Sequence, residues 1–161
     1  MSKTVTVGIS DLNVAKSPDI LVTYALGSCV GICLYDPTIK LAGLSHIMLP
    51  SSRLAPDANQ AMKFADTAIV MLVKKMEAMG GRSVRFKAKI AGGAQMFAAK
   101  SNASVANIGA RNVQAVKEAL GKLHIPIIAE DTGKNYGRTL YFNAEDGMMR
   151  IKSVNKGEWT W

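Results

Sequence analysis

Apolar and polar residues alternate over several short stretches of the chain. From Lys3 to Ser10, Val5, Val7 and Ile9 stand between polar neighbours, the pattern of a half-buried strand. Ile20–Tyr24 is a second, shorter strand. Val30–Tyr35 and Leu41–Leu49 are two further runs on either side of Asp36-Pro37-Thr38-Ile39, a hairpin with those four residues as its turn. That turn sets Tyr35 opposite Lys40, Cys33 opposite Ala42, Gly31 opposite Leu44 and Cys29 opposite His46. From Val84 to Ile90, apolar residues alternate with Arg85, Lys87 and Lys89, predicting a strand with a basic, wetted face. Ile125–Ala129 is another strand. Arg138–Asn143 and Met148–Val154 form a last hairpin across Asp146-Gly147, a strong turn signal.

Two stretches change period. From Ala58 to Met79, residues Met62, Ala65, Ile69, Leu72, Met76 and Met79 recur at spacings of three and four, one face of a helix. Asp57 is its expected cap, and Gly80-Gly81 its stop. Its methionine stripe reads as a core-facing seam. Ala110–Lys122 is the second helix, with Val113, Val116 and Leu120 on one side. Residues 155–161 lack periodicity. The expected fold is therefore α/β: a single layered domain over residues 1–154, with a mixed, largely antiparallel sheet and two long helices, followed by a tail.

Composition narrows the function. The 161 residues suffice for one domain with a substantial core, and 48% apolar with 20% charged residues is a globular composition. No apolar run approaches the roughly 18 residues of a membrane span, so the chain is not expected to be membrane-embedded. Without a signal-peptide pattern, the expected location is cytoplasmic. The net charge of +8 suits an acidic partner. No aromatic–basic signature points to nucleic acid. There is no P-loop and no Gly-x-Gly-x-x-Gly motif, and no cofactor is expected.

Chemistry concentrates between Thr23 and His46. The only cysteines, Cys29 and Cys33, lie on one strand roughly 13 Å apart, too far to bridge. Opposed residues of an antiparallel pair bring Cys29 and His46 within reach. An imidazole there can take the thiol proton and later hand it to a leaving group. The sulfur is then expected to alkylate at a lower pH than an ordinary thiol. Thr23, through its hydroxyl or its carbonyl, is the candidate to orient the ring, carried beside Cys29 by a tight Gly27-Ser28 loop. Gly27 is expected in a conformation closed to other residues, and N–H groups at Ser28 and Cys29, or the Ser28 hydroxyl, would stabilise an oxyanion. Cys33 reads as packing and His124 as a helix-end residue. A metal site would need three or four ligands, and these residues supply at most three with the thiols apart.

The chain resembles the CheD family, chemoreceptor glutamine deamidases of bacterial chemotaxis. The resemblance is carried by Val7-Gly-Ile-Ser-Asp-Leu12, Thr23-Tyr-Ala-Leu-Gly-Ser-Cys29-Val-Gly-Ile32, Leu34-Tyr-Asp-Pro37, Gly43-Leu-Ser-His46-Ile-Met-Leu-Pro50, Lys89-Ile-Ala-Gly-Gly-Ala94, Ile108-Gly-Ala-Arg-Asn112 and Asp131-Thr-Gly-Lys-Asn-Tyr-Gly-Arg138. It implies a layered α/β domain whose active site is related to that of a toxin deamidase of Rho-type GTPases. It implies Cys29 as nucleophile toward a receptor glutamine, His46 as base and then acid, and Thr23 as orienter. Glutamate would form through a thioester, and methylglutamate esters would be further substrates. The implied partners are methyl-accepting chemotaxis receptors and, in some bacteria, a CheC-like phosphatase. A non-enzymatic adaptor for those partners is the alternative, and a general cysteine protease or transglutaminase-like enzyme a third. Lys134 and Ala91 depart from the family's pattern.

Overall fold

Residues 2–54, 60–96 and 107–161 are described in this computed structural model. Their ten strands divide between two five-stranded sheets. The first sheet holds, in order, β1 (Thr4–Thr6), β3 (Ile20–Leu26), β8 (Arg138–Asn143), β9 (Met149–Ser153) and β10 (Gly157–Thr160). The second holds β2 (Asp11–Lys16), β5 (Leu41–Ile47), β4 (Val30–Asp36), β6 (Lys87–Gly92) and β7 (Ile127–Thr132). Each sheet has one parallel pair, β1–β3 and β6–β7, and is otherwise antiparallel. Helices α1 (Ala65–Ala78) and α2 (Ile108–Lys122) pack on the outer face of the second sheet. The expected α/β layering with two helices is present, with the strands in two sheets.

Central β4 explains its own composition. Val30, Ile32 and Leu34 join the core beneath the helices, while Cys33 and Tyr35 pack into the core between the sheets. A strand covered on both faces needs a nearly continuous apolar run, which Val30-Gly-Ile-Cys-Leu-Tyr35 supplies. In α1, Ala65, Ile69, Leu72 and Met76 are buried, as the seam predicts, and Met79 is exposed. The helix stops as expected: Gly80 takes φ +97° while the Gly80 and Gly81 N–H groups donate to Glu77 and Met76 carbonyls. His124 ends α2 in the same way, at φ +57°, with Ile125 N–H reaching the Leu120 carbonyl.

Several boundaries moved. Residues 3–10 do not form one strand: β1 ends at Thr6, and the chain crosses to β2 through Ser10 at φ +59°. The helix expected from Ala58 begins at Ala65, after a 3-10 turn at Ala61–Lys63. Its expected cap, Asp57, lies outside the described residues. Residues 83–85 form a 3-10 turn, Val84 is exposed, and only Lys87–Gly92 is strand. Lys89 on this strand is half-buried, its ammonium donating to the Gly147 and Trp161 carbonyls, so the basic face is only partly wetted. The segment expected as a tail supplies β10, paired antiparallel with β9.

The hairpin turn is also displaced. Asp36 stays in β4 and pairs with Leu41, leaving Pro37–Lys40 as the turn. The Asp36 carboxylate, fully buried, accepts from Thr38 and Arg82 N–H groups and from the Arg85 guanidinium at 2.8–3.1 Å. Those contacts hold Asp36 in the sheet, and Lys40 turns the chain at φ +50°. Replacing Asp36 with alanine should lower stability by about 2–3 kcal/mol, less than for a wholly buried pair because Arg85 reaches solvent. A denaturant midpoint unchanged from the parent would refute that role.

Candidate active site

The displaced turn moves the register of β4 against β5 by two residues. Gly31, not Cys29, lies opposite His46, and Cys33 lies opposite Leu44. A two-residue shift keeps every side chain on its predicted face. Cys29 therefore precedes β4, diagonal to His46 rather than directly across from it. Cys29 packs against the core between the sheets, which also holds Cys33, Ala42 and Leu44, the alternate residues leading to His46.

Thr23 reaches the imidazole from the opposite sheet. It lies on β3, fully buried, and its Oγ1 is 2.7 Å from His46 Nδ1 and 2.7 Å from the Val7 carbonyl. The expected fold-back beside Cys29 is not the route; the contact spans the gap between the two sheets. A β-bulge makes it possible. Thr23 pairs with Leu140 and Leu26 pairs with Arg138, so β3 carries one extra residue between them. Thr23 and Leu26, three apart, both point inward and are fully buried. The left-handed residue is Ala25, at φ +61°, whereas Gly27 shows no positive φ.

Hydrogen counting fixes the ring. The Thr23 hydroxyl has one proton. The Val7 carbonyl can only accept, so the hydroxyl gives that proton to it. The hydroxyl must then accept from Nδ1–H. His46 is therefore the Nδ1–H tautomer, with a lone pair on Nε2. Nε2 is buried and has no partner among the described residues. Burial drives the imidazole pKa down to about 4, so the ring is neutral at physiological pH. The Cys29 thiol is pushed up by burial, against the smaller opposing pull of its own backbone N–H. Burial of the sulfur thus favours the protonated thiol, opposite in sign to the effect expected of a neighbouring imidazole. The low-dielectric gap that orients the ring also disfavours a resting ion pair.

The loop before Cys29 is gripped by backbone. Gly93 N–H donates to the Cys29 carbonyl, and Ala94 N–H to the Gly27 carbonyl, both at 2.8 Å. This approach requires glycine: a Cβ on Gly92, at φ +110°, would stand 2.2 Å from the Cys29 oxygen. Neither the Ser28 nor the Cys29 N–H donates to another residue among those described. Cys33 is fully buried, its thiol pKa raised far by desolvation, and serves packing. No three metal-ligating side chains converge among the described residues.

Asn112, on α2, was missed as a site residue. Its Nδ2 donates to the Ser28 and Met48 carbonyls, each at 2.9 Å, and the side chain is fully buried. The available signal was a polar residue on the helix's buried seam of Gly109, Asn112, Val116 and Leu120.

Residues 48–153 match the family model described as CheD chemotactic sensory transduction. A protein of Caldanaerobacter subterraneus, named "Probable chemoreceptor glutamine deamidase CheD", is 54% identical over 156 residues, 97% of this chain and 96% of that protein. A Lachnoclostridium phytofermentans protein of the same name is 51% identical over 97% of each chain. A crystal structure of the hypothetical protein YfiH of Bacillus licheniformis aligns with a TM-score of 0.42 and 16% identity, over 76% of this chain and 50% of that one.

Proposed function

Since the chain belongs to the CheD family, we propose that it is a hydrolase of glutamine side-chain amides, converting receptor glutamines to glutamates with Cys29 as nucleophile. The relatives' name supports the deamidase reading. The observation that supports this chemistry is the unpartnered Nε2 of a neutral His46 held by Thr23, on the strand paired with the one that Cys29 precedes.

The steps follow from the residues. The glutamine carbonyl carbon approaches Sγ, and Nε2 takes the thiol proton as the C–S bond forms. The carbonyl electron pair moves onto oxygen, and the Cys29 and Ser28 N–H groups face the resulting charge. When the C–N bond breaks, the imidazolium gives its proton to nitrogen and ammonia leaves. A water then gives one proton to Nε2 and attacks the thioester. The C–S bond breaks, sulfur recovers the proton, and a glutamate side chain remains. Neutral thiol and neutral ring at rest suit this order, because charge arises only as the substrate reacts. Methylglutamate esters fit the same steps with methanol leaving in place of ammonia.

The proposed partners are the cytoplasmic helical domains of chemoreceptors, whose Glu-rich surfaces suit a chain of net charge +8. Among the described residues no helix is long and apolar enough to cross a membrane. The direct test incubates the protein with a receptor cytoplasmic fragment and reads about one mass unit gained per converted glutamine. Binding without any conversion would leave only an adaptor, for the receptors or for a CheC-like phosphatase.

Thr23→Val keeps the shape of the side chain and removes the hydroxyl. Nδ1 loses its acceptor and the ring is no longer confined to one tautomer. Turnover should fall by about 10- to 100-fold, part of the order of 10²–10⁴ that a positioned base contributes. Turnover equal to the parent's would show that the hydroxyl does not govern the base.

A further inference from the structure

We infer that Asn112 is a positioning residue for oxyanion stabilisation, acting through the Ser28–Cys29 peptide. The inference rests on the hydrolase reading and deepens it.

The Asn112 amide faces two carbonyls. A carbonyl only accepts, so the NH₂ group must point at both, which fixes the amide's orientation. One carbonyl belongs to Ser28 and the other to Met48, two residues beyond His46. One side chain therefore ties the nucleophile's loop to the end of the strand that carries the base. Placing it there demands close packing. A Cβ on Gly109 would fall 2.4 Å from the Ala94 oxygen and 2.6 Å from the Gly93 oxygen. The first turn of α2 thus sits directly on the segment that grips Gly27 and Cys29.

A trans peptide is planar, with its C=O and the next N–H pointing in opposite directions. Holding the Ser28 carbonyl on Asn112 directs the Cys29 N–H away from the helix. That N–H belongs to the nucleophile's own residue, next to the sulfur at which an attacked carbonyl oxygen would gain its charge. A hydrogen bond to the carbonyl also polarises the peptide and makes its N–H a better donor. Asn112 is sealed from solvent and acts through the two carbonyls it holds, of which the Ser28 carbonyl belongs to the peptide whose N–H is that of Cys29. Its Oδ1 is buried and has no partner among the described residues, so the amide is retained for its donors.

The test separates this role from simple folding support by comparing two reactions of one sulfur. Deamidation builds an oxyanion. Alkylation by iodoacetamide displaces iodide and builds none. In Asn112→Ala, and in Asn112→Leu, which fills the space, kcat for the receptor fragment should fall about 10- to 100-fold, the scale of a weakened oxyanion donor. KM should stay near the parent value, and the Cys29 alkylation rate should stay within about threefold, because neither depends on an oxyanion donor. Mass spectrometry counts unfolded molecules in the same sample, since buried Cys33 labels only when the fold opens. Parallel loss of both reactions in molecules with Cys33 unlabelled would overturn the inference, as would unchanged kcat. If the parent protein converts no glutamine, the hydrolase reading itself fails, a distinct result.

Discussion

Replacing Cys29 with alanine should abolish the mass gain of a receptor fragment, lowering turnover by about 10³-fold or more. The sulfur is the atom to which the substrate carbon would be bonded, and no other group among the described residues can take its place. The Cys33 thiol is fully buried and kept protonated by desolvation. The Ser28 hydroxyl belongs to the neighbouring loop, but it lacks a base bonded to it among the described residues. Alanine removes a partly exposed side-chain atom and should leave the fold intact. The variant should therefore still bind the fragment, and a pull-down checks that it does. Parent-level conversion by Cys29→Ala would end the thiol mechanism while leaving family membership untouched.

Much of this site was legible because alternation survives errors of two. The turn falls one residue later than the pattern predicts and the register differs by two, yet Cys33 and His46 keep their faces and Cys29 still packs toward the core between the sheets. Period-2 patterning fixes the face, whereas the pairing itself depends on the turn. That turn was set from far away: Arg85, in a segment read as strand, holds Asp36 in β4. No local pattern encodes such a contact.

The division into two sheets was hidden for a related reason. Strands were identifiable singly, but Thr23 and His46 belong to different sheets, and only packing brings them together. The bulge at Tyr24-Ala25 broke the alternation in β3, and a left-handed alanine is not a signal that sequence reading can use. β10 escaped because a short edge strand needs little periodicity. It is held by pairing with β9 and by the Trp159 indole donating to Asp131. The helices were the reverse case. Their seams run over several turns, so errors at the ends left the buried face unchanged.

His46→Gln should cost about as much turnover as losing the thiol, because residues acting as one unit fail together. The same residue also makes a prediction about stability. In the unfolded chain an imidazole binds its proton near pH 6.5, whereas in the fold burial lowers that value to about 4. Above pH 6.5 the ring is neutral in both states and acid does not act on it. Between 6.5 and 4 the unfolded chain takes up a proton that the folded chain refuses. Stability must therefore fall as pH drops through that window, by about 3 kcal/mol in total. Below pH 4 both states are protonated and this contribution levels off. Carboxylates also titrate in acid, so the useful quantity is the difference between parent and His46→Gln. Glutamine can still meet the Thr23 hydroxyl but carries no titratable proton. The parent should lose about 3 kcal/mol more than the variant between pH 7 and pH 4, read from denaturant midpoints. Parallel curves would mean that the ring is not held neutral between the sheets. With that, the lone pair on Nε2 would no longer be available at rest to take the proton from Cys29.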